Sequence, residues 1–298
     1  MQSIQIRPFR RSDRDQLTAL VNAHAGAVVP GLSVSVNVLM SQLEREPDEL
    51  IVDPWVVERR TLVAVERDAV VGAAHLIRYA ADERVSDSYR NSAEIRRLVF
   101  TPAAVDAADA LLSAALDAMA DWKPSARWAD GALPALGCYG VPAPWRHVRA
   151  AYTRAGFVFD GRIELLFLAR VEDLPVAGER PAEGLTVRRE VGRFGTQFVA
   201  LLDAEPVGVV DVEVDHTAGG TRSRLAGWSD VGTLHVDERQ RRRGIGTWLL
   251  GHAADWLRLS RSERLLDYAT TEQDDVIGFL NATGFRELTR IERGWSHP

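Results

Sequence analysis

Hydrophobic positions along the chain alternate in short runs with a period of two, separated by stretches with the helical period, and the series runs through twice. The first half opens with a strand over Ile4 to Arg10, then helical stretches from Asp13 to His24 and around Val36 to Arg45. Two β-rich runs, Thr61 to Glu66 and Ala69 to Tyr79, join at Arg67-Asp68, and a further strand, Ala93 to Phe100, stops at Thr101-Pro102. An Ala/Leu helix is predicted from Val105 to Trp122. A helix ending at Gly156-Phe157 and a hairpin, Phe157 to Ala169 with its turn at Asp160-Gly161, close this half.

The second half repeats the order with one omission. Leu185 to Glu190 reads as a strand, and Gln197 to Asp203 with Val207 to Asp215 form a hairpin across Ala204-Glu205-Pro206. A strand from Ser229 to Val236 leads into two glycines and a helix, Thr247 to Leu259. A strand, Arg264 to Thr270, and a helix ending at Gly284-Phe285 follow. Between its first strand and its hairpin this half has no room for helices. Ile6-Arg7 corresponds to Val187-Arg188, Arg97-Leu98-Val99-Phe100 to Thr233-Leu234-His235-Val236, and Gly156-Phe157 to Gly284-Phe285; their common order points to duplication. The segment beginning at Val171, VEDLPVAGERPAEG, follows neither hydrophobic period and reads as a linker. The expected plan is therefore a domain over 1–170, a linker over 171–183 and a domain over 184–298. Each is an α/β domain with a mixed, largely antiparallel sheet flanked by helices, the second lacking the helices after its first strand.

With 298 residues, 46% of them hydrophobic, the chain is long enough for two modest cores. A net charge of -6 argues against nucleic acid as the main partner, since phosphate binding needs a basic surface. The single cysteine, Cys138, cannot form an internal disulfide, and no Cys/His cluster has zinc spacing, so no metal is expected. No run is long and apolar enough to cross a bilayer, and the segment Met1 to Arg7 reads as a strand rather than a signal peptide. A cytoplasmic protein without a membrane partner is the expectation.

The most informative stretch runs from Leu234 through His235 and Val236 to Arg241, Arg242, Arg243, Gly244, Ile245, Gly246 and Thr247. A strand enters a basic turn, two glycines follow, and a helix starts at once. Glycines admit close backbone approach, and the first turn of a helix offers unpaired N–H groups at its positive end, which suits a pyrophosphate. No Lys-Ser/Thr pair follows the glycines, which excludes a Walker A loop, and the spacing fits a dinucleotide fingerprint poorly.

Arg241-x-x-Gly244-x-Gly246, with its preceding strand, following helix and later Gly-Phe, resembles the Arg/Gln-x-x-Gly-x-Gly/Ala motif of the GNAT superfamily of N-acetyltransferases. The resemblance covers nearly all of residues 185–295 and implies two tandem GNAT-type domains. It also implies acetyl-CoA as cosubstrate, held by Leu234, His235, Val236 and residues 241–247. Acetyl would pass to a primary amine by direct attack in a ternary complex, the pantetheine arm lying against a strand splayed from its neighbour. The tandem, unequal plan is similar to that of mycothiol synthase. The resemblance further implies an amine acceptor on a small molecule or a peptide.

Asp230 falls where some relatives carry their base, and His235 is a second candidate. Asp211, Glu213 and Asp215 share one face of their strand, which makes Glu213 a reserve base unless that face is merely solvated. Relatives often carry a tyrosine four residues before the Gly-Phe glycine, as acid for the leaving thiolate. That position is Leu280 here, leaving Tyr268 as another donor. In the first half the position is Tyr152, but the loop after Phe100 has no glycine or arginine and carries Asp106 and Asp109. The first half is thus expected to be a degenerate copy with Tyr152 packed, walling the acceptor site of the second. A non-catalytic acyl-CoA-binding sensor or regulatory module is the alternative reading of the same residues.

Overall fold

The computed structural model describes residues 4–44, 53–131, 139–193, 195–213 and 227–298; Arg45, Cys138, Val214 and Asp215 lie outside them. In chain order the first elements are β1 (Gln5–Pro8), α1 (Arg14–Val28), α2 (Val36–Glu44), β2 (Val56–Glu66), β3 (Ala69–Tyr79), β4 (Ser92–Phe100) and α3 (Val105–Asp121). Then come β5 (Ala126–Ala129), β6 (Val141–Pro142), α4 (Arg146–Arg154), β7 (Val158–Phe159), β8 (Ile163–Arg170), β9 (Leu185–Val191), β10 (Thr196–Leu202) and β11 (Glu205–Glu213). The last are β12 (Trp228–Val236), α5 (Ile245–Leu259), β13 (Arg264–Thr270), α6 (Asp274–Ala282), β14 (Arg286–Glu292) and β15 (Trp295–His297). The described residues of 1–164 with 289–298 form one compact unit, and those of 165–288 a second.

A seven-stranded sheet runs β1-β2-β3-β4-β5-β15-β7, and an eight-stranded sheet runs β6-β14-β8-β13-β12-β11-β10-β9. β4 with β5 and β12 with β13 pair in parallel, and in each case a helix, α3 or α5, makes the crossover that parallel strands require. α1 buries Leu17, Val21, Ala25 and Val28 on one stripe, and α5 buries Leu249, Leu250, Ala253, Ala254 and Leu257. In the second unit β9 passes to β10 through a tight turn closed by Gly192 N–H donating to Gly195 O at 2.8 Å, so no helix intervenes.

The two halves share one register. Gly72 pairs with Phe100 and Ile77 with Glu94 across β3–β4; Gly208 pairs with Val236 and Glu213 with Asp230 across β11–β12. Each strand pair carries one bulge at the same place, where Arg96 in the first copy and Gly232 in the second are the extra residue. Both hairpins turn on two left-handed residues, Arg67-Asp68 and Asp203-Ala204. The second turn therefore ends before Glu205 and Pro206, which belong to β11; a register shift beside Pro206 accommodates a residue with no N–H to donate.

The expected hairpin over 157–169 does not form. β7 pairs with β15, where Phe159 stacks on Trp295 at 5.4 Å, whereas β8 enters the eight-stranded sheet between β14 and β13. Alternation marks both runs as strands but carries no information about their partners.

Both Gly-Phe marks are helix ends of one design. Gly156 (φ 88°) and Gly284 (φ 103°) take the left-handed conformation, and the N–H of Phe157 and Phe285 donates to the carbonyl of Tyr152 and Leu280, each at 3.0 Å. The ring of Phe157 packs on that of Tyr152 at 5.3 Å. The two helix ends thus share one backbone design, closed over Tyr152 in the first copy and over Leu280 in the second.

Candidate functional site

The loop after β12 is shaped by its backbone. Arg241 Nε donates to Val236 O at 3.0 Å, folding the loop back onto the strand end. Arg242 (φ 62°) and Gly244 (φ 83°) are left-handed, and Gly244 caps α5, its carbonyl accepting from Trp248 N–H at 3.0 Å. The N–H groups of Ile245, Gly246 and Thr247 consequently have no acceptor within the helix and mark its positive end. A Cβ at 246 would stand 3.3 Å from the ring of Phe279 on α6, a tight contact that favours a small residue there. Arg241, Arg242 and Arg243 are exposed beside this turn; Arg241 stands 4.0 Å from Asp275, and Arg243 donates to Gln240.

The segment expected as a linker lies along α5. Arg258 donates to Val171 O at 3.0 Å and to Leu174 O at 2.7 Å, and Asp255 accepts from Ala177 N–H at 3.3 Å. A Cβ on Gly251 would come within 2.7 Å of Val176 O, and one on Gly244 within 3.3 Å of Pro181. The segment thus runs from the end of the helix back to the glycine loop.

β12 and β13 form a fork. Their pairing runs from Trp228↔Arg264 to Asp230↔Leu266 and stops, while β12 continues to Val236 and β13 to Thr270. Leu234 and Val236, both partly exposed, lie on the free limb, whose other edge is taken by β11.

Carboxylates converge at the crotch of this fork. Asp230 is the last paired residue of β12 and lies directly opposite Glu213. Asp267 is the first residue of β13 beyond the pairing. Burial pushes the Asp230 carboxyl up to about 8, and the negative charges of Glu213, Asp267 and Asp211 reinforce the shift. Burial likewise raises Asp267 to about 7, opposed by the Tyr268 N–H that donates to it at 2.7 Å. Asp211, expected on a solvated face, is only 1% exposed, with the backbone of Gly192 against its carboxylate where any side chain would collide. His235, the second candidate base, lies at the surface: its side chain is 53% exposed and stands 3.6 Å from Asp237. Neither Asp267 nor Phe279 was legible as a site residue; the only signal for Asp267 is a lone carboxylate inside an apolar strand.

The first copy is built differently at each of these positions. Glu94, the counterpart of Asp230, accepts from Tyr79 Oη at 2.7 Å and from Arg96 at 3.3 Å, and Arg96 lies over the Tyr139 ring at 4.2 Å. Tyr152 is fully buried and donates to Asp130 O at 2.7 Å, with its phenol held well above the ordinary value by burial. At the end of β4, where the second copy has its open loop, the His147 ring packs on Phe100 at 4.8 Å and His24 Nε2 meets His147 Nε2 at 2.9 Å. Trp145 Nε1 donates to His24 O at 2.9 Å, completing the plug.

Residues 166–285, which contain the loop, the fork and the carboxylates, match the sequence model of the acetyltransferase (GNAT) family. The second unit is a GNAT acetyltransferase domain. A family built for acyl transfer, generally from acyl-CoA, accounts for a glycine loop at one end of a strand fork. Among solved structures, a tandem GNAT protein from the clavulanic acid biosynthesis pathway aligns over 99% of this chain and 97% of its own, with a TM-score of 0.67 and 14% identity. A GCN5-related N-acetyltransferase from Sphaerobacter thermophilus aligns over 99% and 96%, with a TM-score of 0.65 and 14% identity. The glucosamine N-acetyltransferase region of a fungal multi-domain GH3 β-N-acetylglucosaminidase gives 0.66 and 15%; 99% of this chain aligns, but it spans only 38% of the fungal one. At these identities the likeness establishes the fold, a tandem GNAT fold over the whole chain. No curated protein sequence matches the chain. Among the described residues no helix is long and apolar enough to cross a membrane.

Proposed function

We propose that the second GNAT unit binds acetyl-CoA at residues 241–247 and along Leu234, His235 and Val236, and transfers acetyl to a primary amine of a small molecule or peptide. The attack is direct, within a ternary complex. The observation that carries this reading is the place of Asp230 at the crotch of the fork, as the last paired residue of β12 and directly opposite Glu213; burial and the carboxylates around it push its carboxyl up to about 8. A carboxylate of ordinary acidity is a weak base towards an ammonium, whereas one titrating near neutrality takes its proton with far less driving force lost. Asp230 removes the proton that makes the acceptor unreactive. Glu213 and Asp211 raise its basicity and attract the cationic amine; His235, at the solvent side, is the second candidate base and Glu213 the reserve. The free N–H edge of β12 polarises the thioester carbonyl as its oxygen gains charge. The N–H groups of 245–247 and the three arginines hold the pyrophosphate.

Calorimetric titration of coenzyme A and acetyl-CoA into wild type and a Gly244→Asp/Gly246→Asp variant tests this. One site per chain, lost in the variant, is expected; absence of binding to wild type overturns the reading. Leu280, buried at the helix end and unable to donate a proton, favours the alternative of an acyl-CoA sensor without turnover. Turnover of acetyl-CoA with any amine decides against that alternative.

A further inference from the structure

We propose that β9 is a docking edge for a second copy of this chain, the two β9 strands pairing antiparallel about a two-fold axis at Arg189. The proposal is independent of the acetyl-transfer reading. An open strand edge carries unpaired N–H and C=O groups that invite another strand, and chains blunt such edges with short strands or proline. Three of the four sheet edges are blunted in that way. β1 has four residues and ends at Pro8, β6 is Val141–Pro142, and β7 has two residues. The eight-stranded sheet ends at β9, which has seven residues and no proline.

The two most exposed large hydrophobic side chains among the described residues gather at this edge. Val191, 94% exposed, is the last residue of β9, and Leu259, 78% exposed, is the last of α5. His252 of α5 stacks on Phe198 of β10, and Trp256, one turn further, carries Arg189 of β9 over its ring at 4.7 Å. One turn of about 5.4 Å thus moves α5 outward by about one strand spacing. Leu259 follows on the same side of the helix and overhangs the place of a strand added beyond β9.

Backbone geometry and charge select one register. Gly192 N–H donates to Gly195 O, and β9 pairs with β10 from Val191 to Leu185 without a shift. The N–H and C=O groups of Glu190, Arg188 and Thr186 therefore turn inward to β10, and those of Val191, Arg189 and Val187 turn outward. With Arg189 opposite its mate, Val191 exchanges bonds with the partner's Val187 and Val187 with the partner's Val191, giving about six new N–H···O bonds. Val191 gains an apolar neighbour. On the other face Arg188 stands opposite the partner's Glu190 and Glu190 opposite the partner's Arg188, at the closely spaced, non-hydrogen-bonded positions. Arg188 already reaches Glu190 of its own strand at 2.8 Å, so the four side chains close a ring of alternating charge. Arg189 meets its like, but each guanidinium is drawn over its own Trp256 on the α5 face. A register centred on Arg188 would instead oppose Arg188 to its mate and set Val187 against Arg189.

Sedimentation equilibrium of the full chain is the test, with circular dichroism as the check of folding. We expect a wild-type dimer in the micromolar range. Arg188→Glu and Glu190→Arg each set like charges opposite one another twice and should weaken the dimer about tenfold or more. An equimolar mixture of these two variants should restore it, because every facing pair is then of opposite charge. Val191→Lys should also weaken the dimer. A wild type that stays monomeric into the high micromolar range overturns the proposal. So does a dimer indifferent to all three substitutions, or a mixture that stays monomeric. If a variant fails to fold, amide hydrogen exchange of wild type decides. Protection of Val187, Arg189 and Val191 that is lost on dilution supports the paired edge, and rapid exchange of all three in the dimer overturns it.

Discussion

Glu94 and Asp230 occupy the same place in two copies of one bulged strand pair, yet the bulge residue beside Glu94 is Arg96 and the one beside Asp230 is Gly232. A guanidinium and the Tyr79 hydroxyl engage Glu94 in the first copy. In the second copy the bulge offers no side chain, and the neighbouring charges raise Asp230 further. Two side chains, one of them the bulge residue, thus engage Glu94, and burial still holds its carboxyl above the ordinary value, whereas the bulge beside Asp230 brings no cation.

Gly232→Arg should therefore lower the Asp230 carboxyl towards the ordinary range by bringing a cation beside it. The acidic limb of kcat/KM should move down by about one pH unit or more, with a fall in maximal rate as the base weakens. An unmoved limb would mean that Asp230 is not the titrating base.

Asp230 should cost stability at alkaline pH. Its folded carboxyl, near 8, keeps a proton that an unfolded one, near 3.8, has already released. Stability from this group is thus present at low pH and declines as pH rises from the lower value to the higher, by about 1.4 kcal/mol for each pH unit crossed. Asp230→Asn should unfold at higher urea than wild type at pH 9, and the advantage should vanish near pH 4. Equal midpoints at both pH values would contradict the raised carboxyl.

His75 gives the opposite slope in the first unit. It is buried beside Arg97, Arg96 and Arg59, and burial with those charges lowers it to about 3. Unfolding lets it take up a proton near 6.5, so its contribution is complete above that value and is lost as pH falls towards 3. His75→Gln should flatten the acid limb of the stability profile, read by urea melts between pH 4 and 7.

Gly251→Leu should dislodge the segment along α5, because a Cβ there would stand 2.7 Å from the Val176 carbonyl. We expect a loss of roughly 1–3 kcal/mol and faster cleavage after Glu179 and Glu183 by a glutamate-specific protease. Unchanged cleavage would show that the segment is held by other contacts, such as those of Arg258.

Local patterns carried much of this protein. The hydrophobic periods disclosed most strands and helices, and the matched series disclosed the repeat, down to the absence of helices between β9 and β10. Arg241, Gly244 and Gly246 announced the loop, because left-handed backbone and close approach to Phe279 are demands that only particular residues meet. Those features depend on a few residues adjacent in the chain. Tertiary structure alone decided the rest: that β7 and β8 take partners in different sheets, that Asp267 stands just past the fork from Asp230, and that the Tyr152 hydroxyl is buried against the Asp130 carbonyl. Strand partners, carboxyl acidity and helix-end packing are set by neighbours distant in sequence, through burial and Coulomb interaction across space, and no local pattern encodes which neighbours those are.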